Sequence, residues 1–276
     1  MRLRIGSELA PGFALVGALL FLRIPLLVVT PLLFRPVPRW VGRAWVDGTH
    51  LITALLVWME RDRLHEHNMD LASVLVLAAW PIVLVVLPFT PAGHLLSATQ
   101  PVPIAHVLIG AVLGVSLLLS RPRMRPKRAG EVAWLVAGVL ASAILGVALG
   151  TLMRLQEPSR FTSLRGRAWT SVLACDLVSQ FTSAATLEEP VFRGFLWGCL
   201  RKAGWRDSRI FLVQAGLFWL AHLYYFPRVP ISFWIVVPVG GLLFGLVAWR
   251  SRSVAGSMAA HALFNAAAIL FAHYRL

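Results

Sequence analysis

Runs of roughly 18 or more mostly apolar residues recur along this sequence, and that is the length a helix needs to cross a bilayer. The 276 residues are 58% hydrophobic and 14% charged, with a mean hydropathy of +0.74, whereas a soluble globular protein is about 25% charged. The pattern therefore predicts an all-α fold. We expect a polytopic transmembrane bundle of about eight spans, with nine as the alternative, forming a single membrane domain over 1–276.

The predicted spans are separated by basic or turn-rich loops. They lie at about 12–34, 71–89, 102–120, 132–153, 168–187, 210–226, 231–250 and 254–273. A short apolar piece at about 50–59 is either an interfacial helix or an extra span, since its length decides neither. Within the span at 132–153, the small residues Gly138, Ser142, Gly146 and Gly150 recur every four positions, a stripe that lets another helix approach closely.

The net charge of +14 comes from Lys and Arg residues in short loops between apolar runs. This distribution follows the positive-inside rule and does not favour nucleic-acid binding. We therefore expect the protein to contact the lipid bilayer and not to bind nucleic acid. The basic loop 121–128 indicates the cytoplasmic side, and the loop 90–101, which has no Lys or Arg, indicates the exoplasmic side. We expect an integral, multi-pass protein of the bacterial cytoplasmic membrane.

Alternation from these two loops assigns 199–209 and 250–252 to the cytoplasmic side and 154–167 to the exoplasmic side. From residue 121 onward, eleven basic residues are then cytoplasmic and six are exoplasmic. The eleven are Arg121, Arg123, Arg125, Lys127, Arg128, Arg201, Lys202, Arg206, Arg209, Arg250 and Arg252, and the six are Arg154, Arg160, Arg165, Arg167, Arg228 and Arg275.

Two adjacent carboxylates, Glu188 and Glu189, close the apolar segment at 168–187. An ionised carboxylate at bilayer depth costs several kcal/mol, about 2.5–3.5 on insertion scales, and two neighbours also repel each other. On a helix, Glu189 and Arg193 fall on one face and can pair, while Glu188 is left for another partner. Pro190 cannot donate to a helix, so we predict a break or kink at the glutamates. The pattern indicates a functional site.

Further polar residues follow on two later spans. Gln214, Phe218 and His222 share one helical face, and the last span carries Ser257, His261 and Asn265 at the same spacing. Taken singly, a membrane histidine can simply be a hydrogen bond between packed helices. Together with the glutamates and Arg193, however, these groups are costly to bury unless they face one another. We therefore expect a shared polar cavity within the membrane.

Glu and His are the side chains best suited to acid–base chemistry near neutral pH. A carboxylate and an imidazole can polarise one water for attack on a carbonyl, and a second His and an Asn amide can stabilise the resulting oxyanion. The sequence has no Gly-x-Ser-x-Gly elbow and no His-Glu-x-x-His. These residues indicate hydrolysis of an amide within the membrane by an activated water rather than by a covalent nucleophile, and we expect no cofactor.

Three motifs resemble those of the CPBP family, the CAAX-type and bacteriocin-processing intramembrane proteases. Residues 188–194 (EEPVFRG) look like its Glu-Glu-x-x-x-Arg motif, 218–222 (FWLAH) like its Phe-x-x-x-His motif, and 261–265 (HALFN) like its His-x-x-x-Asn motif. All three occur in the family's order. The resemblance covers about 130–276, so we divide the chain into N-terminal spans at 1–129 without a recognised motif and a CPBP-like catalytic core.

The resemblance implies a metal-independent glutamic peptidase with a water-filled chamber. Glu188 and His222 would activate the water, His261 and Asn265 would stabilise the oxyanion, Glu189 and Arg193 would form a supporting pair that fixes Glu188, and Phe218 would line the site. The substrate would be a membrane-anchored or lipidated protein, cut in or near its membrane segment or C-terminal tail. Within the family we favour a sorting-type member similar to the myxosortases.

Three alternatives remain at this point. The first is a non-catalytic CPBP-like scaffold or bacteriocin-immunity protein that uses the cavity for binding. The second is a proton-coupled transporter, although no pseudo-repeat is visible. The third is a metal-dependent hydrolase, because Glu188, His222 and His261 are also possible zinc ligands.

Overall fold

The computed structural model describes residues 128–156, 168–226 and 229–273, together with a few isolated positions. The predicted spans before residue 121 and the short piece at 50–59 lie outside these continuous ranges, and the predicted total of eight spans rests partly on them. Within the described ranges every regular element is helical and no strand occurs. The all-α prediction is confirmed for this part of the chain.

Seven α-helices follow one another in the described ranges, with π-helical and 3₁₀ segments between some of them. We number the α-helices α1 (Ala129–Gln156), α2 (Trp169–Gln180), α3 (Thr186–Glu189), α4 (Trp197–Lys202), α5 (Asp207–Leu220), α6 (Val237–Ser251) and α7 (Val254–His273). The π-helical segments are Phe181–Ala185, Pro190–Leu196 and Ser232–Val236, and the 3₁₀ segment is Leu223–Tyr225.

Among the residues that the structure describes, three helices are long and apolar enough to cross a membrane. They are Ala129–Gln156, Val254–His273 and the combined π/α helix Ser232–Ser251. Their bounds agree closely with the predicted spans at 132–153, 254–273 and 231–250, because uninterrupted hydropathy and length determine such helices. Apolar helices of this length indicate an integral membrane protein.

The second half of the small-residue stripe on α1 is a contact surface for α7, while Gly138 in its first half lies against Val247 of α6. Gly138, Ser142, Gly146 and Gly150 are all buried, and a Cβ at Gly146 or Gly150 would collide with the backbone carbonyl oxygen of Phe264 or Ala268. The predicted close approach is therefore present, and α7 is its partner. Gly146 lies against Phe264, and Gly150 lies against Ala268. The residue numbers therefore rise together along the contact, so α1 and α7 run in the same direction.

Of the break or kink predicted at Pro190, the break is wrong. Trp169 to Lys202 is helical without interruption, and Pro190 itself has helical angles (φ −58°, ψ −34°). The helix changes from α to π at this residue. A proline ring clashes with the carbonyl four residues earlier in an α-helix, and the wider π turn gives that carbonyl more room. π segments occur frequently at functional sites.

The predicted span at 210–226 is also not one helix. α5 ends at Leu220, and His222 lies in the following turn, with φ −104° and ψ 16°. The imidazole Nδ1 lies 2.7 Å from the carbonyl oxygen of Phe218. This contact satisfies a carbonyl that the ending helix would otherwise leave unpaired, so His222 caps α5 from the second position after its last residue.

Candidate active site

Glu188 and His222 face each other across a narrow gap. Nε2 of His222 lies 3.5 Å from Oε1 of Glu188, and both side chains are largely but not completely buried. A carbonyl oxygen only accepts hydrogen bonds, so the contact with Phe218 fixes the proton of the neutral imidazole on Nδ1. Nε2 is then a lone-pair acceptor that faces a carboxylate. Two acceptors at this distance are best satisfied by a shared donor between them.

Glu189 has a different environment, with no exposed surface. Arg193 donates to its Oε1 at 3.1 Å, His261 donates from Nδ1 to the same oxygen at 2.8 Å, and the Ser257 hydroxyl bonds to Oε2. The Arg193 bond is the i,i+4 pair that the sequence predicts. Glu189 thus joins its own helix to α7 and holds the ring of His261 in place, leaving Nε2 of that ring for the cavity it lines.

Arg193 is a buried cation with several compensating contacts. Its second guanidinium nitrogen donates to the Gly241 carbonyl at 3.0 Å, and the guanidinium carbon lies 4.3 Å from the centroid of Phe218. Cation–π contacts of this kind contribute about 2 kcal/mol or more when they are desolvated. Arg193 therefore links the motif helix to α6 and to the ring of Phe218.

Aromatic rings fix the two histidines from their other sides. Phe244 stacks on His261, with centroids 4.4 Å apart and planes inclined by 15°. Tyr225 stacks on His222 at 5.9 Å and 12°, and Phe218 contacts both imidazoles, at 4.5 and 6.0 Å. The imidazoles are thus held by ring packing as well as by hydrogen bonds.

Asn265 lies one turn beyond His261 on α7. Its Nδ2 donates to Oε1 of Gln180 at 2.9 Å. An amide nitrogen has two protons, so one N–H of Asn265 is committed to Gln180 and the other remains for the cavity, which Asn265 and Gln180 both line.

These residues border one cavity of about 230 Å³. Glu188, His222, His261 and Asn265 all line it, and so does Phe218. The sequence therefore predicted correctly that these side chains share a common space. Glu189 and Arg193 lie behind the wall, fully buried.

Sequence reasoning assigned no role in the site to three residues that contact the predicted ones. Gln180 lies in the predicted span at 168–187 and was not connected with Asn265, because nothing in the sequence sets the register between α2 and α7. Ser257 shares a helical face with His261, so its spacing was a usable signal for its contact with Glu189. Phe244 gave no signal, since one apolar residue among many in α6 does not reveal that it stacks on a histidine.

No group of three or more His, Cys, Asp and Glu side chains is arranged to hold a metal ion within the described part of the chain. Of the three candidate zinc ligands, His261 uses Nδ1 for Glu189 and His222 uses Nδ1 for Phe218. Each therefore has only Nε2 left for any further ligand.

Comparison with known proteins gives one match. Residues 169–267 match the family described as type II CAAX prenyl endopeptidase Rce1-like. No curated protein and no solved structure matches the chain. The matched family is one of proteases, which supports a peptidase acting on a membrane-associated protein. The matched residues carry all three motifs and most of the cavity wall, and the match supports the resemblance of this part of the chain to the CPBP family of CAAX-type proteases.

Proposed function

We propose that this protein is a glutamic intramembrane endopeptidase in which Glu188 and His222 activate a water molecule. The observation that carries the proposal is the 3.5 Å gap between Oε1 of Glu188 and Nε2 of His222. A water oxygen about 2.8 Å from each atom fits this gap and donates one proton to each. Its lone pairs are then free to attack a peptide carbonyl.

In the first step, the water oxygen bonds to the carbonyl carbon and one water proton passes to the Glu188–His222 pair. The carbonyl π electrons move onto the oxygen, which becomes the oxyanion of a tetrahedral intermediate. In the second step, the C–N bond breaks and the amine nitrogen takes the proton from the pair. The products are a new carboxyl terminus and a new amino terminus. A positioned base of this kind contributes about 10²–10⁴-fold.

Asn265 and His261 are the proposed donors to the oxyanion. Asn265 offers the N–H that Gln180 does not use, and His261, as the imidazolium, offers Nε2–H. Both side chains line the same cavity as Glu188 and His222, so one substrate carbonyl can contact the water on one side and these donors on the other. Each donor of this type contributes about 10²–10³-fold.

The substrate that we propose is a membrane-anchored or lipidated protein, cut in or beside its membrane segment or C-terminal tail. Glu188 and His222 lie inside a helical bundle and border a cavity of about 230 Å³. A folded domain does not fit that volume, so the cut segment must reach the site from the membrane or its surface. A C-terminal sorting tail, the substrate type of the myxosortase-like subgroup, meets this condition.

The test uses a strain from which the gene for this protein is deleted and into which the wild-type protein, Glu188→Ala or His222→Ala is reintroduced. The membrane proteins of the three resulting strains are compared. We expect new C-termini with the wild-type protein only, while both variants reach the membrane at the wild-type level. Full processing by Glu188→Ala would refute the mechanism. Persistence of function with both variants would instead favour the non-catalytic scaffold.

A chelator separates water activated by Glu and His from zinc chemistry. We expect processing by the purified protein to continue in the presence of the chelator. Loss of processing that zinc restores would reassign Glu188, His222 and His261 as metal ligands.

A further inference from the structure

We infer that the cavity opens toward the exoplasmic side of the membrane, so that the substrate is a protein segment already translocated across it. The statement that the bound segment is a substrate rests on the proposed function. The direction of opening rests on the fold and on charge alone.

The helices share two ends, which the inter-helix contacts define. Gln180 pairs with Asn265, and Glu189, farther along, pairs with His261. The helix from Trp169 to Lys202 therefore runs antiparallel to α7. α1 runs parallel to α7, as shown by its two contacting glycines.

The direction of α6 follows from its connection to α7. Only Arg252 and Ser253 separate the two helices, so α6 is antiparallel to α7. α5 is in turn antiparallel to α6, because Gly241 lies against Phe218 and Gly245 lies against Gln214.

These directions bring one terminus of every helix to each end of the bundle. The first end, which we call the cavity end, holds Gln156, Trp169, Leu220, Ser232 and His273. The second, which we call the closed end, holds Ala129, Lys202, Asp207, Ser251 and Val254.

Among the described residues, the cavity extends from the middle of the bundle to the cavity end and not to the closed end. Its deepest lining residues are Glu188, Phe244 and His261, and its lining reaches helix termini at Ser232 and His273. Met153, Tyr224 and Tyr225 also line this part. On the other side of the glutamates lies a dry core, with Phe195, Leu196, Trp197, Leu200 and Ile210 each at most 2% exposed. Substrate therefore has a path from the cavity end and none through this core.

The basic residues are concentrated at the closed end. Of the eighteen Lys and Arg residues from position 121 onward, seven lie at or beside the helix termini of the closed end: Arg128, Arg201, Lys202, Arg206, Arg209, Arg250 and Arg252. Four more, Arg121, Arg123, Arg125 and Lys127, directly precede in the sequence the start of α1, which lies at this end. Short loops rich in Lys and Arg are retained in the cytoplasm. The closed end is therefore cytoplasmic, and the cavity opens to the exoplasmic side.

The shape and chemistry of the cavity define the segment further. Between the polar centre and the cavity end, the wall includes Val236, Phe264, Ala268, Ile269 and Ala272. A helix with its side chains is about 10–12 Å across, so even a few turns need on the order of 10³ Å³, far more than the cavity holds. The substrate segment is therefore extended, with small or apolar side chains beside the cut bond. A C-terminus that is lipidated in the cytoplasm would reach the wrong side of the bundle.

Single-cysteine labelling tests the direction of opening. Cys175 and Cys199 are replaced by Ala, and Ile269→Cys or Tyr224→Cys reports on the cavity. Ser208→Cys, exposed in the first turn of α5, is the matched reporter at the closed end. The probe is a membrane-impermeant quaternary-ammonium thiosulfonate, applied to sealed right-side-out and inverted vesicles, with detergent-unfolded protein as the reactivity control.

We expect Ile269→Cys and Tyr224→Cys to react in right-side-out vesicles and Ser208→Cys to react only in inverted ones. Reaction of the cavity cysteines only in inverted vesicles, or from neither side, would overturn the inference. Repeating the labelling with Glu188→Ala makes it independent of hydrolysis, so a failure of the proposed function leaves this result readable. Mapping the new C-termini then gives the substrate side, and cuts on the cytoplasmic side would equally overturn the inference.

Discussion

The two adjacent glutamates differ in almost every physical respect. Glu188 borders the cavity, is 8% exposed and faces the lone pair of His222 across 3.5 Å. Glu189 has no exposed surface and receives donors from Arg193, His261 and Ser257. One helix thus presents one carboxylate that borders the cavity, and beside it a carboxylate whose two oxygens are both engaged in buried hydrogen bonds.

This difference separates a reactive carboxylate from a structural one. A base needs the freedom to take a proton from the reacting water, and Glu188 borders the cavity where that water would lie. A carboxylate that holds a cation and an imidazole in a buried network loses that freedom and supplies position instead. We therefore assign the chemistry to Glu188 and the geometry of His261 to Glu189, although the two residues are neighbours with the same functional group.

The largest expected effect comes from exchanging these two carboxylates for amides one at a time. Glu188→Gln keeps the shape and removes the base, so we expect peptide cleavage to fall by about 10²–10⁴-fold. Its apparent melting temperature in detergent should stay at the wild-type value. Glu189→Gln is the matched control, and it should lower the melting temperature. A Glu188→Gln variant with normal turnover, or with the larger loss of stability, would reverse the two assignments.

The second prediction concerns the buried ion pair. Removing one partner of such a pair leaves an uncompensated charge and costs about 3–5 kcal/mol. We expect Arg193→Met to destabilise the protein by this order, because Glu189 then lies in a dry site without its cation. The measurement is unfolding of the purified protein in detergent.

A double variant sharpens this test. Glu189→Gln should cost less in the Arg193→Met background than alone, by about 0.5–3 kcal/mol, since the charge it would strand is already gone. Additive losses would mean that the two side chains act separately. The assignment of Glu189 to a coupled buried network with Arg193 would then be wrong.

The division between the glutamates was only partly predictable from the sequence. The i,i+4 spacing predicted the Glu189–Arg193 pair, and the cost of burying charge predicted that Glu188, His222, His261 and Asn265 would share one space. Both are consequences of local geometry and desolvation, which the sequence carries directly. We expected, however, that the ion pair would fix Glu188, whereas its observed contacts hold His261 and the backbone of Gly241.

Other features depend on the relative placement of helices. The contact of Gln180 with Asn265 needs the register between α2 and α7, and the stacking of Phe244 on His261 needs that between α6 and α7. Neither register is written in one helix alone. The continuous helix through Pro190 was missed for a different reason, because the rule for proline assumes an α-helix and the chain forms a π-helix there.

The third prediction addresses the other side of the cavity. Asn265→Ala removes a proposed oxyanion donor, so turnover should fall by about 10²-fold. The change should appear in kcat more than in KM, because the donor acts in the transition state. An equal rise in KM with unchanged kcat would make Asn265 a binding residue.

The smallest effect should come from Gln180, which contacts the proposed donor Asn265. Its Oε1 accepts one proton of the Asn265 amide and so aims the other toward the cavity. Gln180→Ala leaves that amide free to rotate, and we expect turnover to fall by less than the 10²-fold assigned to Asn265 itself.

The decisive measurement is the double variant. If Gln180 acts through Asn265, Gln180→Ala should have no further effect in an Asn265→Ala background, because the group it orients is absent. Gln180→Glu keeps the acceptor and should recover part of the lost rate. Independent losses would instead indicate that Gln180 contacts the substrate directly from the cavity wall. Gln180 and Asn265 would then be two separate donors to the substrate, opposite the single base Glu188.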